Sequence, residues 1–512
     1  MNLRNNFSVS VRAYFLILTL ALSFIAPVAA QTKQTPQAAT KPAAVSAQTA
    51  AAPFVNRVLA NGLEVIVLPD SSVPLVTVEL AVRNGSFTEP PELNGLSHLY
   101  EHMFFKTNGA IMLYRCQQYE SYGNIQAYRQ NQCGEHLRYK NEIGSADYLT
   151  EIGKLGITYN GTTREEVVNY YFTTTSPFWQ TAMRFIKDSV RYPVFDENEF
   201  EREKQVVIGE IDRQESSPFF YLNRAINDKL FYKYPSRKNP GGTRETVSTA
   251  TTSKMRTIQS RYYVPNNSAI VVTGDVAPER VFAEAERLFG DWKPRAVEPF
   301  KEFPLVEHPP LGKSEGEIIQ QPVENVFLMI GWHGPSIGKD DAATYAADVF
   351  SYILGQPNSR FQRNIVDKDL ASSVGIGYYT QRNVGPIMVS AITTPDRARA
   401  AAKAIYEEIA AFNSPGYFTD EELESAKNIL ASRDLFEREQ TSEYAHTLSF
   451  WWSSTGIDYF RGYQKNLRAT SRADINRYVT NYIQNKPHVG LALMSADAQR
   501  QAKLTPEELI GK

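Results

Sequence analysis

The feature that most constrains this chain is the segment His98-Leu-Tyr-Glu-His102. On a helix, residues four apart lie on one face, so both imidazoles can reach one metal ion. Glu101 lies beside them, where its carboxylate can take a proton from a metal-bound water. Imidazole suits zinc, and a catalytic zinc keeps one position open for water. The sequence therefore predicts a helix from about Gly95 to Phe105 that carries two metal ligands and a base, in the inverted order of the HExxH zincins.

Chance does not explain this motif. With 7 histidines and 56 acidic residues in 512 positions, composition predicts about 0.01 occurrences of it. A structural hydrogen-bond network of the same side chains is the alternative, which composition leaves open. Two histidines also leave a zinc site short of one protein ligand. The other histidines of the second half show no such motif and are expected to be structural: His308, His333, His446 and His488.

The composition is that of a globular protein, with 42% hydrophobic and 21% charged residues. A length of 512 residues favours about two to four domains. The net charge of −2 provides no basic field, so we expect no nucleic-acid partner. Two cysteines exclude a disulfide-built scaffold and a cysteine-rich zinc module.

Residues 1–30 form a separate segment. Arg4 and Arg12 precede an apolar run over residues 13–25, and small residues follow up to Ala30. This pattern predicts a secretory signal peptide. The alternative is a membrane anchor, but the run is shorter than the ~20 residues of a membrane-spanning helix. We therefore expect export to a bacterial periplasm, or secretion, and no membrane anchor after cleavage. Cleavage removes two arginines, so the mature net charge becomes −4.

Composition also divides the rest of the chain. Residues 31–53 are rich in Ala, Gln, Thr and Pro and predict a flexible tether. Residues 54–292 and 316–512 carry strand and helix patterns and are expected to form an N-terminal and a C-terminal domain. Residues 293–315 hold five prolines and no helical period, which predicts an interdomain linker.

The two halves resemble each other at two places. Residues 195–204 match residues 418–427, and residues 263–275 resemble residues 482–494. An internal repeat of this kind predicts an α+β fold of two homologous domains, each a sheet with helices on one face. Helices are expected near residues 177–192, 197–213, 281–289 and 342–354, and strands near residues 76–82, 269–273 and 326–331.

Residues 95–106, Gly-Leu-Ser-His-Leu-Tyr-Glu-His-Met-Phe-Phe-Lys, resemble the signature of the pitrilysin/insulysin/mitochondrial processing peptidase family. The resemblance covers most of the chain from Phe54 onward. It implies one Zn²⁺ per chain, held by His98, His102 and Glu210, with Glu101 as the general base. It also implies that Glu203 is a carboxylate supporting the ligands, although a solvated helix face is the alternative. The family geometry implies a half-clamshell that closes on a peptide.

Residues 156–163, followed by Tyr170-Tyr171, resemble the substrate-binding edge strand of that family. An edge strand can pair with an extended peptide through main-chain hydrogen bonds. Asn160 and Tyr171 are therefore expected to bind substrate. The alternative for Asn160 is an ordinary turn residue beside Gly161.

The chain departs from the family pattern between His102 and Glu210, because this interval is longer than usual. The excess lies at about residues 107–145, beside the zinc helix, where an insert could line or gate the cleft, and the sequence assigns it no role. In an exported protein, Cys116 and Cys133 within this insert would form a disulfide. Two unlinked thiols are the alternative.

The C-terminal half departs from the pattern as well. Arg433 stands where the repeat places Glu210, so only one zinc site is expected. Active family members carry an arginine and a tyrosine seven apart in a C-terminal domain. Those positions fall here at about Val366 and at Ser372 or Ser373, so the pair is missing.

These observations together imply an exported zinc metalloendopeptidase that hydrolyses peptides or unfolded polypeptides. We expect it to be the zinc-bearing half of a heterodimer whose related partner chain supplies the arginine and tyrosine. Two alternatives stay open. The chain could be a non-catalytic zinc-binding or assembly subunit, or a self-sufficient homodimer that uses Arg360 or Arg363 in place of the missing pair.

Overall fold

The computed structural model describes residues 54–136, 140–144, 146–152 and 156–512. The predicted signal peptide and the tether, residues 1–53, lie outside the described residues. Within the described ranges, no helix is both long enough and apolar enough to cross a membrane. The chain folds into two halves, and each half is built around one mixed sheet. The mixture of helices and two sheets confirms the predicted α+β class.

The N-terminal sheet has six strands in the order β1-β2-β6-β3-β5-β4. Among the described residues its one parallel pair is β2 with β6, and β4 is an edge strand. A turn at Asn61-Gly62 joins β1 to β2, and Gly62 adopts a φ of +90° that favours glycine. The strands are β1 (Val55–Val58), β2 (Glu64–Pro69), β3 (Leu75–Val82), β4 (Thr158–Thr163), β5 (Val168–Thr175) and β6 (Ser268–Gly274).

The C-terminal sheet repeats this arrangement without the first strand. Its order is β7-β11-β8-β10-β9, and β7 with β11 is the parallel pair. From β2 onward each strand of the first sheet therefore has a counterpart at the same place in the second, as an internal repeat requires. The strands are β7 (Glu315–Gln320), β8 (Val326–His333), β9 (Ser373–Tyr378), β10 (Pro386–Thr393) and β11 (Val489–Met494).

Helices surround both sheets. Those of the N-terminal half and the linker are α1 (Leu96–Phe104), α2 (Gly109–Ser121), α3 (Ile125–Gln130), α4 (Cys133–His136), α5 (Lys140–Ile143), α6 (Leu149–Ile152), α7 (Trp179–Arg191), α8 (Glu197–Glu215), α9 (Pro218–Leu230), α10 (Arg244–Ser248), α11 (Thr252–Tyr262), α12 (Pro278–Phe289) and α13 (Pro299–Glu302). Those of the C-terminal half are α14 (Asp341–Gly355), α15 (Arg360–Ile365), α16 (Ala398–Ala411), α17 (Asp420–Glu439), α18 (Thr441–Ser454), α19 (Ile457–Ala469), α20 (Arg472–Tyr482) and α21 (Ala496–Ala502).

Each sheet is covered on one face by helices of its own half and on the other face by one helix of the other half. Helix α18 buries Leu448 and Trp452 against Ile66 and Val271 of the N-terminal sheet. Helix α9 buries its apolar side, including Ile226, against the C-terminal sheet. Single-faced coverage was expected for each half by itself. The reciprocal exchange of helices explains how the second faces are buried.

Replacing Trp452 with alanine should destabilise the contact between the halves. Its indole is 2% exposed, its Nε1 donates to Glu64 Oε2 at 2.8 Å, and the Arg83 guanidinium lies 4.1 Å from the ring centroid. Deleting a buried Trp side chain leaves a cavity and costs about 3–5 kcal/mol of unfolding free energy. Urea unfolding of Trp452→Ala should show this loss, and Phe436→Ala, at a position 67% exposed, should change little. A loss below about 1 kcal/mol would contradict the importance of the contact.

The segment 293–315 is more ordered than its prolines suggest. No helix was expected there, but Pro299–Glu302 forms a short helical turn. Phe300 packs edge-on against Phe87, and Arg295 donates to the Ser260 carbonyl at 2.7 Å. The connection therefore lies fixed against the N-terminal half.

Candidate metal centre

Helix α1 carries the histidine motif, and its start is fixed by glycine and a buried acid. Gly95 has a φ of +85°, and a Cβ there would lie 2.6 Å from the Gly242 Cα, so the two backbones meet only because both residues lack side chains. Glu89 accepts from the Gly95 and Ser97 backbone N–H groups at 2.8 and 2.6 Å. A carboxylate at a helix N-terminus is stabilising. Glu89 was not predicted from the sequence, because it lies outside the usual capping spacing.

Helix α8 supplies the carboxylates. Asp196 caps it by accepting from the Glu199 backbone N–H at 3.0 Å. Phe200 and Val207 are buried in the N-terminal core and fix the rotation of the helix. Glu203 and Glu210 are two turns apart, so both project from one side toward α1.

The structure brings His98, His102 and Glu210 together. Glu210 Oε2 lies 3.5 Å from His98 Nε2 and 3.6 Å from His102 Nε2. One ligand atom from each of the three residues lies within 4.8 Å of the others, and no other group of this kind occurs among the described residues. Two imidazole nitrogens and one carboxylate oxygen thus converge on a single point.

This donor set fits zinc. With Zn–N and Zn–O bonds of about 2.0–2.2 Å, tetrahedral ligand atoms lie about 3.3–3.6 Å apart. The two distances to Glu210 Oε2 agree with this spacing. Two histidines and one glutamate form a known catalytic ligand set, which leaves one position for water.

Glu203 orients His102. Its Oε2 lies 3.2 Å from His102 Nδ1, and its Oε1 lies 2.6 Å from Lys106 Nζ. A carboxylate bound to one ring nitrogen fixes the tautomer and directs the other nitrogen at a metal. The alternative of a solvated helix face does not describe Glu203, whose side chain is 13% exposed. Lys106 is the last residue of the segment 95–106, and no role was predicted for it from the sequence.

The three residues of the metal cluster differ in protonation state. Burial and the neighbouring His102 lower the pKa of His98 to about 4. Burial also acts to lower the pKa of His102, but the hydrogen bond to Glu203 and the nearby Glu210 carboxylate outweigh burial and raise that pKa to about 10. Burial acts to raise the pKa of Glu210, but the nearby His102 outweighs it, and the pKa is lowered. At pH 7 and without metal, His102 therefore carries a proton that zinc must displace.

Zinc binding should release about one proton at pH 7. His98 is already neutral and Glu210 already ionised, so the proton comes from His102. Zinc affinity should consequently rise with pH up to about 10, where His102 loses the proton by itself. Calorimetry in buffers of different ionisation enthalpy measures the number of protons released. The same measurement on Glu101→Gln removes any contribution of the Glu101 carboxylate to that number. No released proton would contradict the assignment.

Glu101 lies on the side of α1 that faces the edge strand β4. Its Oε2 accepts from Thr163 Oγ1 at 2.8 Å, and a Cβ on Gly161 would lie 2.6 Å from its Cγ. The absence of a side chain at Gly161 therefore lets the strand approach the carboxylate. Burial, partly offset by the charge of His102 and the Thr163 hydrogen bond, raises the pKa of Glu101 to about 7. A carboxyl with this pKa suits a general base and acid near neutral pH. Sequence analysis did not single out Thr163.

The expected substrate residues lie on β4 and β5, but not on the metal side of the sheet. Asn160 and Tyr171 face each other across the two strands. Side chains alternate between faces, and Gly161 and Thr163 are the residues that face Glu101. Tyr171 lies on the opposite face, with its ring centroid 4.4 Å from that of His446 in α18.

The insert begins directly after the metal helix. Thr107 donates through its backbone N–H and hydroxyl to Glu199 of α8, at 2.9 and 2.7 Å. Helices α2 to α5 follow, and Cys116 and Cys133 are joined by a disulfide. Cys133 is fully buried, so the crosslink lies inside the insert.

The C-terminal half holds no second centre among the described residues. Arg433 donates to the Tyr352 hydroxyl at 2.7 Å and pairs with Glu437 at 2.9 Å. Arg360 is paired with the buried Glu408 at 3.3 Å and lies over the Tyr417 ring. Both arginines are therefore engaged within their own half.

Two sheets of matching order, with one His-His-Glu cluster in the first half, define the class of two-domain zinc-peptidase-like proteins. Comparison with known protein families agrees with this class. The profile described as "Insulinase (Peptidase family M16)" matches residues 65–111 and 134–239, and "Peptidase M16 inactive domain" matches residues 249–430. The two matches together span more than half of the chain. The chain therefore belongs to the M16 family, as the resemblance to insulysin and pitrilysin implied. The interruption at residues 112–133 falls within the insert.

Relatives with similar sequences are described as zinc proteases. The "Uncharacterized zinc protease YmxG" of Bacillus subtilis is 24% identical over 75% of this chain and 84% of its own length. "Zinc protease PqqE" of Helicobacter pylori is 21% identical over 83% of this chain and 89% of its own. A protease crystal structure from Helicobacter pylori has a TM-score of 0.70 at 20% identity, covering 86% of this chain and 99% of that chain. This structural likeness shows the shared fold.

Proposed function

We propose that this chain is an exported zinc metalloendopeptidase that hydrolyses peptides or unfolded polypeptides. The observation that carries the proposal is the convergence of His98, His102 and Glu210, with the buried Glu101 beside them. A site that served only to hold a metal would have no need for a carboxylate with a pKa near 7 at that place.

Zinc, when bound, polarises the scissile carbonyl and lowers the pKa of its water to about 7. His98, His102 and Glu210 would hold the ion, and Glu203 would keep the His102 ring in its binding orientation. Glu101 would accept the proton from the attacking water and deliver it to the leaving amine. Thr163 fixes the Glu101 carboxylate through its hydroxyl, and the buried surroundings keep its proton affinity close to neutral pH.

The edge strand supports a peptide substrate. One edge of β4 is unpaired within the sheet, so its outward backbone groups can bind an extended chain. Gly161 places that edge against Glu101. A peptide must be extended to pair in this way, which favours unfolded segments over folded domains.

A related second chain would complete the active enzyme. The positions of the family arginine and tyrosine are occupied by Val366 and Ser372 or Ser373. Arg360, which would replace the missing family arginine in a homodimer, is paired with Glu408 of its own half. We therefore favour a heterodimer over a homodimer.

Export rests on the sequence of residues 1–30 and fits the bonded Cys116 and Cys133, because disulfides persist in oxidising compartments such as the periplasm.

The second candidate function is a zinc-binding assembly subunit without turnover. The missing arginine and tyrosine favour it, whereas Glu101 and its partner Thr163 favour catalysis.

Metal removal tests the proposed function. The mature chain, residues 31–512, should bind one zinc and, together with its co-purifying partner, cleave an unfolded peptide. Dialysis against a chelator should abolish cleavage, and one equivalent of zinc should restore it. The chain alone should cleave far more slowly than the pair. Full activity of the purified chain by itself would contradict the heterodimer, and cleavage that survives complete zinc removal would contradict the peptidase assignment.

A further inference from the structure

A buried polar cluster joins the two halves on the face of the N-terminal sheet opposite the metal centre. Glu79 of β3 is fully buried. Its Oε2 lies 2.5 Å from His446 Nδ1, and its Oε1 accepts from Asn169 Nδ2 at 2.7 Å. The His446 ring meets the Tyr171 ring at an angle of 63°, edge to face. A buried carboxylate needs such partners, and His446 is the one supplied by the C-terminal half.

From Tyr171 the contacts continue to the edge strand. Tyr171 lies directly opposite Asn160 in the pairing of β5 with β4, so the two side chains share one face of the sheet. Burial raises the pKa of the Tyr171 hydroxyl, and the Asn160 side chain acts against this rise. Asn160 Oδ1 in turn accepts from the Gly161 backbone N–H at 2.9 Å. Its amide nitrogen is therefore the group left to face Tyr171.

The Gly161 N–H belongs to the open edge of the sheet. Arg164 N donates to the Val167 carbonyl, so residues 164 and 167 form a hydrogen-bonded pair at the hairpin end. In an antiparallel ladder such pairs alternate, which makes Asn160 with Tyr171 a bonded pair and turns the backbone of Gly161 outward. An extended peptide that joins β4 would meet the Gly161 carbonyl together with the Asn160 amide, whose Oδ1 already accepts from the Gly161 N–H.

We propose that His446 and Tyr171 are positioning residues, which hold the Asn160 amide at the open edge of β4 so that it orients an extended peptide substrate. This inference rests on the proposed peptidase function and assigns the C-terminal half a part in it. Glu79 fixes the orientation of the His446 ring. The His446 ring restricts the conformation of the Tyr171 side chain, and Tyr171 in turn fixes the Asn160 side chain. None of these residues touches the metal cluster, so their loss should affect substrate binding and not the chemical step.

Tyr171→Phe tests the chain of contacts with the smallest change, since the ring against His446 is kept and only the hydroxyl is lost. In the active pair, KM for an unfolded peptide should rise about fivefold, as one neutral hydrogen bond supports, with kcat unchanged. Asn160→Ala should raise KM as much or more, and adding Tyr171→Phe to it should have no further effect. Tyr232→Phe, at an exposed tyrosine of the same half, is the matched control.

A second measurement does not depend on activity. In the free chain, amide hydrogen exchange at Gly161 should become about fivefold faster in Tyr171→Phe and in His446→Ala, since Asn160 is no longer held over that N–H. His446→Asn keeps a donor for Glu79 but removes the ring from Tyr171, and should exchange like His446→Ala.

Unchanged exchange at Gly161 in both Tyr171→Phe and His446→Ala would overturn the proposal, whether or not the chain proves to be a peptidase. A lowered KM in Tyr171→Phe would also overturn it, because the held amide would then block the edge instead of orienting substrate. A complete absence of cleavage by the wild-type pair would refute the proposed function alone, because the exchange measurement still decides whether the residues position Asn160.

Discussion

Glu101→Gln should keep its zinc and lose cleavage by about 10²- to 10⁴-fold in kcat. Glutamine has the shape of glutamate and can still accept the Thr163 hydrogen bond at 2.8 Å, so the site should keep its geometry. It has no carboxylate to accept the proton of the attacking water. The variant therefore separates metal binding from catalysis. Zinc content by mass spectrometry and kcat on an unfolded fluorogenic peptide, both in the complete pair, measure the two.

A glutamate at a distance provides the control for this experiment. Glu286→Gln, on the exposed side of α12, should leave zinc content and kcat unchanged. If Glu101→Gln cleaves as fast as the wild type, Glu101 is not the base. If it loses zinc as well as activity, the carboxylate is holding the metal site together and its catalytic assignment has no support.

Glu210→Ala should lower zinc affinity by well over 100-fold. The substitution removes the one carboxylate oxygen that faces both His98 Nε2 and His102 Nε2, at 3.5 and 3.6 Å, and leaves two ligands. Glu203→Gln should cost less, about 10- to 100-fold, because Glu203 acts through the ring of His102. Competition with a chromogenic chelator measures both affinities.

The order of these two effects is the informative result. A larger loss for Glu203→Gln than for Glu210→Ala would exchange the roles of the two carboxylates. Equal and small losses would place the zinc ligands elsewhere. The matched control is Glu201→Gln on the same helix, whose side chain is 60% exposed and pairs with Lys204.

Much of the metal centre follows from local sequence rules. The four-residue spacing of His98 and His102 and the seven-residue spacing of Glu203 and Glu210 are helical periods, and a helix places such residues on one side. That the two helices meet follows from long-range packing, and only the family resemblance indicated it. The duplication of the α+β domain was likewise predicted from two short matches in sequence, whereas the strand order of the two sheets was not.

Other features depend on contacts that no local pattern encodes. Helices α9 and α18 each cover the sheet of the other half, and their apolar faces look the same in sequence whichever sheet they cover. The face on which Asn160 lies depends on the register of β4 against β5. Glu89 reaches the start of α1 from outside the helix, and the proline-rich segment at residues 293–315 is fixed by the surface beneath it.

One zinc ion should be held by residues from α1 and α8. Anomalous diffraction at the zinc edge, from crystals of the zinc-loaded mature chain, locates the ion. We expect a single peak within bonding distance of His98 Nε2, His102 Nε2 and a Glu210 oxygen, with Glu101 beside the ion and not bound to it. A peak elsewhere in the chain, or zinc held by the two histidines with Glu210 turned away, would contradict this placement.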